Sequence, residues 1–143
     1  MSVFYSSQQS EIWIQPNSSG SFVKIAQATN INPPGVTRKF EDVGTLDSTG
    51  GFTEYSQTGN DTDTCTFDLL WYPADPGQAA FEVQANLAAG QVDAYEIRLP
   101  QVSVTAKFSF SGIAMKSKPT LAKDTSIRSS CEIRTTGVPT YTP

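Results

Sequence analysis

The sequence contains no histidine. That removes imidazole both as a general base near neutral pH and as a metal ligand. Charge is scarce: Asp, Glu, Lys and Arg make up 17% of the 143 residues, against about 25% in a typical soluble domain. Ser, Thr and Gln stand in their place, a surface suited to a protein packed against copies of itself. The two cysteines, Cys65 and Cys131, are too far apart for a CxxC motif and read as reduced core residues. No run approaches the roughly 20 apolar residues of a membrane-spanning helix. The start, MSVFYSSQQSEIWIQ, lacks the basic and apolar stretches of a signal peptide. The expectation is a chain made in a cytoplasm and not inserted into a membrane.

Enzyme signatures are missing as well. There is no GxSxG, no Walker loop and no GxGxxG. Asp61-Thr62-Asp63 begins like a calcium loop, but that motif's glycine and distant glutamate do not follow. A glycosidase pair would have to come from Asp68 and Glu96, and a sugar-binding platform from Trp13, Trp71, Tyr72, Phe108 and Phe110. Solvated strand positions and core packing are the simpler readings of these residues. No catalytic residue, metal or cofactor is expected, and a carbohydrate-binding β-sandwich stays a distant alternative.

What the sequence does carry is period-two alternation. Residues 11–15 (EIWIQ), 21–29 (SFVKIAQAT) and 64–72 (TCTFDLLWY) read as strands, the last with Cys65, Phe67, Leu69 and Trp71 on one face. Tyr95, Ile97 and Leu99 share a face, with Glu96 and Arg98 opposite. Residues 102–115 suit one long bent strand or two short ones, with a phase slip near Ser111-Gly112 that predicts a bulge. Residues 127–134 place Ile127, Ser129, Cys131 and Ile133 together. A single helix is predicted over residues 75–90: Asp75 caps it, Pro76 opens it, and Gly90 stops it. Residues 38–64 are the least regular, with only short β-prone pieces at 40–43 and 52–55. Length and composition fit one domain over residues 1–143.

The net charge of −4 is unevenly spread. Residues 41–97 hold eleven acidic residues and no Lys or Arg, whereas residues 98–143 hold seven basic residues and two acidic ones. Such a split suits self-association, one copy's acidic region meeting the next copy's basic one. An acidic chain is a poor binder of nucleic acid.

Several motifs in order carry a resemblance. Ile31-Asn32-Pro33-Pro34-Gly35 precedes Thr45-Leu46-Asp47-Ser48. Gly59-Asn60-Asp61-Thr62 leads into Phe67-Asp68-Leu69-Leu70-Trp71-Tyr72-Pro73. Asp75, Gly77, Gln78 and Ala80 open the helix. Tyr95-Glu96-Ile97-Arg98-Leu99-Pro100 and Thr135-Thr136-Gly137-Val138-Pro139 follow. Over residues 22–139 this resembles the major tail tube proteins of long, non-contractile, lambda-like phage tails. The resemblance implies an all-β fold with one short helix, a β-sandwich whose inner sheet joins a hexameric barrel. It also implies a non-enzymatic subunit of stacked rings, assembled in the host cytoplasm and carried in the virion tail. Double-stranded DNA would pass through the channel unbound, with tape measure, tail terminator and tail tip proteins as further partners. The tube of a contractile tail or secretion system is the nearest alternative. The lambda protein's C-terminal immunoglobulin-like domain is not expected here.

Two sets of residues follow from that reading. Asp68 and Glu96, on the polar sides of their strands, are the candidates for an acidic lumen lining. The family's long loop reaches a neighbouring subunit, which makes Arg38, Lys39, Phe40, Glu41, Asp42, Thr45, Leu46, Asp47, Ser48, Gly50, Gly51 and Phe52 the expected contact arm.

Overall fold

The computed structural model describes residues 8–47 and 49–143. Alternation becomes strand wherever one face has a core to meet. Strands β1 (Glu11–Gln15), β6 (Cys65–Leu70) and β7 (Val92–Arg98) each turn their apolar residues inward. Ile12, Ile14, Cys65, Phe67, Leu69, Tyr95 and Ile97 are all buried. Between them in sequence lie β2 (Val23–Ile25), β3 (Ala28–Asn32), β4 (Val36–Asp42) and β5 (Tyr55–Thr62); β8 (Lys107–Thr120) and β9 (Arg128–Thr142) complete the set.

Seven strands form one sheet in the order β2-β1-β7-β8-β9-β6-β3. The long strands β8 and β9 fold it into two layers. The first half of β8 pairs with β7 as far as Ile113 opposite Val92. Beyond that point β8 pairs only with β9, whose first half pairs with β6 from Ile133 opposite Cys65 to Arg128 opposite Leu70. Register shifts between Ser109 and Ser111 and between Ala114 and Lys116 mark the bends, as bulges commonly do. The expected sandwich is thus one sheet doubled over a single core. The predicted bulge falls within this region. The last strand runs eight residues past its predicted end, because Gly137 (φ 75°) and Pro139 break the alternation without ending the ladder.

The helix α1 (Pro76–Ala85) closes the open side of the sheet. Asp75 caps it as predicted, its Oδ2 accepting the Gln78 N–H at 3.0 Å. It stops one turn earlier than the sequence suggests. Asn86 caps it there, its Nδ2 donating to the Glu82 carbonyl at 2.9 Å. Gly90 instead lies against Ile113, where a Cβ would come within 2.6 Å of that side chain. Phe81 projects from the helix into the core. It meets Phe67 edge-on at 5.1 Å and Tyr95 at 6.5 Å, and Tyr95 stacks on Phe110 at 5.5 Å. Trp71, predicted to share the Phe67 face, falls past the strand end and is half-exposed.

The start of this helix holds the layers together. Gln78 is buried, and its Oε1 accepts the Tyr72 N–H at 2.8 Å. Its Nε2 donates to the carbonyls of Ala26 at 2.8 Å and Leu70 at 3.0 Å. Asp75 Oδ2 also accepts the Ala26 N–H at 3.1 Å. This contact requires glycine at position 77, since a Cβ there would sit 2.0 Å from the Lys24 carbonyl oxygen. A second buried polar group, Asp93, holds the left-handed turn after β1. Its Oδ1 accepts the Asn17 N–H at 2.7 Å and its Oδ2 the Tyr95 O–H at 3.3 Å. Burial raises its pKa, and the two hydrogen bonds offset part of that. Cys65 and Cys131 are buried free thiols on adjacent strands, and burial pushes the Cys65 thiol up to about 12.

Two outcomes follow. Gly77→Ala should cost about 1–3 kcal/mol through overpacking at the helix seat, read as a lower urea midpoint. For Asp93 the folded pKa exceeds the unfolded one. Its ionisation therefore costs stability above the folded pKa, and that cost disappears as pH falls through the window between the two values. Asp93→Asn removes this dependence, so urea unfolding of both proteins against pH should show the wild type gaining on the variant as pH drops. A constant gap would contradict it.

Candidate assembly surface

One part of the chain lies outside the doubled sheet. Pro33 and Pro34 supply no N–H to a ladder, and the chain leaves β3 there. It returns as a two-stranded ribbon in which β4 pairs with β5, from Val36 opposite Thr62 to Asp42 opposite Tyr55, with a register shift at Lys39 and Phe40. The predicted irregularity of residues 38–64 is corrected in part: 38–42 and 55–62 are regular strand, and the described stretch between them is not. Neither face of the ribbon meets a core, so β5 (YSQTGNDT) has no reason to alternate apolar with polar residues.

The ribbon touches the body at its root. Arg134 Nη2 lies 3.4 Å from Asp61 Oδ1, and Thr62 Oγ1 donates to the Thr135 carbonyl at 3.1 Å. Asp63 N–H donates to the Gly35 carbonyl at 2.9 Å. Beyond the root, the ribbon is exposed. Phe40 is 60% exposed, Phe52 78%, and Leu46 fully. Exposed apolar side chains gathered on a projecting element mark a protein–protein contact, and an isolated two-stranded ribbon is marginally stable on its own.

Of the expected arm residues, Arg38, Lys39, Phe40, Glu41 and Asp42 lie on β4. Thr45, Leu46 and Asp47 lie in the tip, Gly50 and Gly51 in its 3-10 turn, and Phe52 just after. Ser48 lies outside the described residues. The Asp42 carboxylate accepts the Gly44 N–H at 2.9 Å, and Thr45 Oγ1 accepts the Asp47 N–H at 3.3 Å. Val43 and Tyr55, also exposed, end the two β-prone pieces 40–43 and 52–55 and belong with them.

The two lumen candidates are not brought together. Asp68 is half-buried on the outer face of β6 and accepts a hydrogen bond from Ser130 Oγ at 3.3 Å. Glu96 is 7% exposed and sits between two cations, with Arg98 at 3.0 Å and Lys107 at 3.2 Å. The Arg98 guanidinium in turn lies 3.9 Å from the Trp13 ring centre. Phe67 and Tyr95, the sequence neighbours of the two carboxylates, both pack on Phe81. Asp68 and Glu96 therefore leave a shared core from two different layers. The acidic and basic halves of the sequence meet in part within one chain, at Asp61–Arg134 and Glu96–Lys107. Among the described residues, no group of three or more His, Cys, Asp or Glu could hold a metal, and no helix is long and apolar enough to cross a membrane.

A family model described as "Lambda phage tail tube protein, TTP" matches residues 3–142. No curated protein matches the sequence. Among solved structures, the chain is similar to one in the 6-fold symmetrised baseplate of the anti-feeding prophage. The TM-score is 0.77 at 12% identity, covering 96% of this chain and 95% of that one. It is similar to one in the tail of an empty GTA particle with C6 symmetry, with TM-score 0.71 at 16% identity, covering 93% and 95%. The SPP1 tail tube gives 0.65 at 10% identity, covering 93% and 76%. At these identities the structural likenesses show the fold.

Because the ribbon meets the body only near its root, deleting residues 45–51 should shift the Tm of the monomer by less than about 3 °C. Phe67→Ala, by contrast, should cost about 3–5 kcal/mol. Thermal unfolding by circular dichroism checks both; collapse of the deletion variant would make the tip part of the core.

Proposed function

This chain belongs to the lambda phage tail tube protein family and is a structural subunit of a virion tail; from that premise, we propose that six copies close into a ring and that rings stack around a channel for DNA. The family match over residues 3–142 carries the reading. The doubled sheet ends in two short strands, β2 and β3, at its edges. Open edges invite pairing with another chain. Closing them against neighbouring copies would give a barrel with no edge left.

The exposed ribbon is the element that reaches a neighbour in this proposal. Its Phe40, Leu46, Phe52 and Tyr55 gain cover only from another chain. The channel needs no catalytic group, and the subunit acts without enzymatic activity. Acidic side chains facing the lumen would repel phosphate and let DNA slide. Of the two candidates Asp68 keeps the less balanced charge, since Glu96 lies between Arg98 and Lys107, but Lys118 stands in the same cross-strand row through Ser130, so that face is not purely acidic. Tape measure, terminator and tip proteins would meet the tube inside and at its ends. Assembly would take place in the host cytoplasm. A contractile tail or secretion-system tube shares the fold, and the family match favours the lambda-like reading.

Negative-stain microscopy of the concentrated protein tests the proposal. Sixfold rings or tubes with a central hole are expected, and the variant lacking residues 45–51 should remain monomeric. A wild type that stays monomeric at every concentration and salt would contradict it.

A further inference from the structure

The ribbon offers a surface, and the chain also carries a surface that fits it. Four of the ten basic residues are engaged by carboxylates within the subunit: Lys24 with Glu11, Arg98 and Lys107 with Glu96, and Arg134 with Asp61. Two more, Arg38 and Lys39, belong to the ribbon itself. The remaining four, Lys116, Lys118, Lys123 and Arg128, are exposed and make no ion pair among the described residues. All four fall on the second half of β8, its connection to β9, and the first residue of β9. They are accompanied by Met115, 51% exposed, and Leu121, 75% exposed. Here β8 has run past the end of β7, so its outer edge carries no strand partner. The acids within this hairpin are Asp124 in the connection and Glu132 opposite Lys116.

The outer part of the ribbon is the complement. Between Phe40 and Tyr55 it carries Glu41, Asp42, Asp47 and Glu54, all exposed, and no cation. These acids make no ion pair among the described residues, and they are interleaved with exposed Val43, Leu46 and Phe52. One surface is acidic and apolar, the other basic and apolar.

Their placement has a direction. The ribbon returns to the sheet at Asp63, just before Cys65, which pairs with Ile133. The turn end of the basic hairpin, from Lys118 to Arg128, lies towards the end where Leu70 pairs with Arg128, whereas Met115 and Lys116 are level with Cys65 and Thr66. Cys65 and Leu70 are opposite ends of β6, roughly 17–20 Å apart at about 3.3 Å per residue. A subunit with complementary surfaces at opposite ends makes head-to-tail contacts, and such contacts propagate.

We propose that the turn end of the β8–β9 hairpin, with Lys118, Lys123 and Arg128 around Leu121, is the docking site for the ribbon of a second copy of this chain. The inference rests on the tube reading and adds the receiving surface to it. Apolar contact supplies cover for Leu46 and Phe52, and the charges fix register and steer the encounter.

Charge reversal tests the assignment. One variant carries Lys118→Glu and Lys123→Glu, a second carries Asp47→Lys and Glu54→Lys, and a third carries all four. Monomer fold is checked by circular dichroism. Each two-residue variant should raise the critical concentration for polymerisation roughly tenfold or more, as like charges face each other at every contact. The four-residue variant restores complementarity and should return to within about threefold of wild type. Wild-type polymerisation by either two-residue variant would overturn the docking site, and so would a four-residue variant as impaired as its parents. If the hairpin reversal leaves assembly intact and changes only retention of double-stranded DNA, the basic patch serves DNA and the docking site is wrong. Absence of tubes from the unaltered protein would instead contradict the tube reading itself.

Discussion

The fold depends on the buried clasp at the start of its one helix. Gln78 satisfies three backbone groups from two directions, the Ala26 carbonyl at the β2–β3 turn, the Leu70 carbonyl at the end of β6 and the Tyr72 N–H just after it. Asp75 caps the helix and takes the Ala26 N–H with the same oxygen. Neither contact is reachable unless residue 77 lacks a side chain. Buried polar groups are costly when unpaired and specific when fully paired, so this joint fixes where the helix lies. The helix position then places Phe81 between Phe67 and Tyr95. That aromatic bridge joins the two halves of a sheet whose hydrogen bonds alone would leave it open.

From this follows a division of labour. The doubled sheet and helix bury their apolar residues within one chain and need no partner to be compact. The β4–β5 ribbon buries almost nothing and is fastened at its root by two Asp61 and Thr62 contacts to β9. Low charge across the rest of the surface lowers the desolvation cost of packing copies together. In the proposed tube, body and ribbon meet the requirements of a polymerising subunit separately, one by folding and the other by contact with a neighbour.

The sequence was legible where one side of a strand meets the core. Residues 65–70 and 95–97 alternate cleanly because Phe67 and Tyr95 face inward. The helix start was legible for the same reason its clasp works, since Asp75, Pro76 and Gly77 each do a job set by local geometry. The helix end was not, because Asn86 caps it through a single side-chain bond while Gly90, the conventional stop, is needed for packing on Ile113. The ribbon was read as irregular because strands exposed on both faces carry no period. Its proposed role as an arm rests on the resemblance and on that lack of period. Glu96 illustrates another limit: its strand face was read correctly, but its burial between Arg98 and Lys107 depends on β8 lying alongside β7. The grouping of four free cations on one hairpin likewise needed the pairing of the others to be known.

The central claim is that the ribbon is an assembly element completed by a second subunit. Amide hydrogen exchange, compared between monomer and polymer, tests it most directly. Backbone hydrogen bonds of a solvent-exposed two-stranded ribbon open at little cost. In the monomer, residues 36–62 should therefore exchange far faster than β1, β6 and β7, and in the polymer they should become as protected as those strands. Equal protection of the ribbon and the core strands in the monomer, or no gain on polymerisation, would contradict the account.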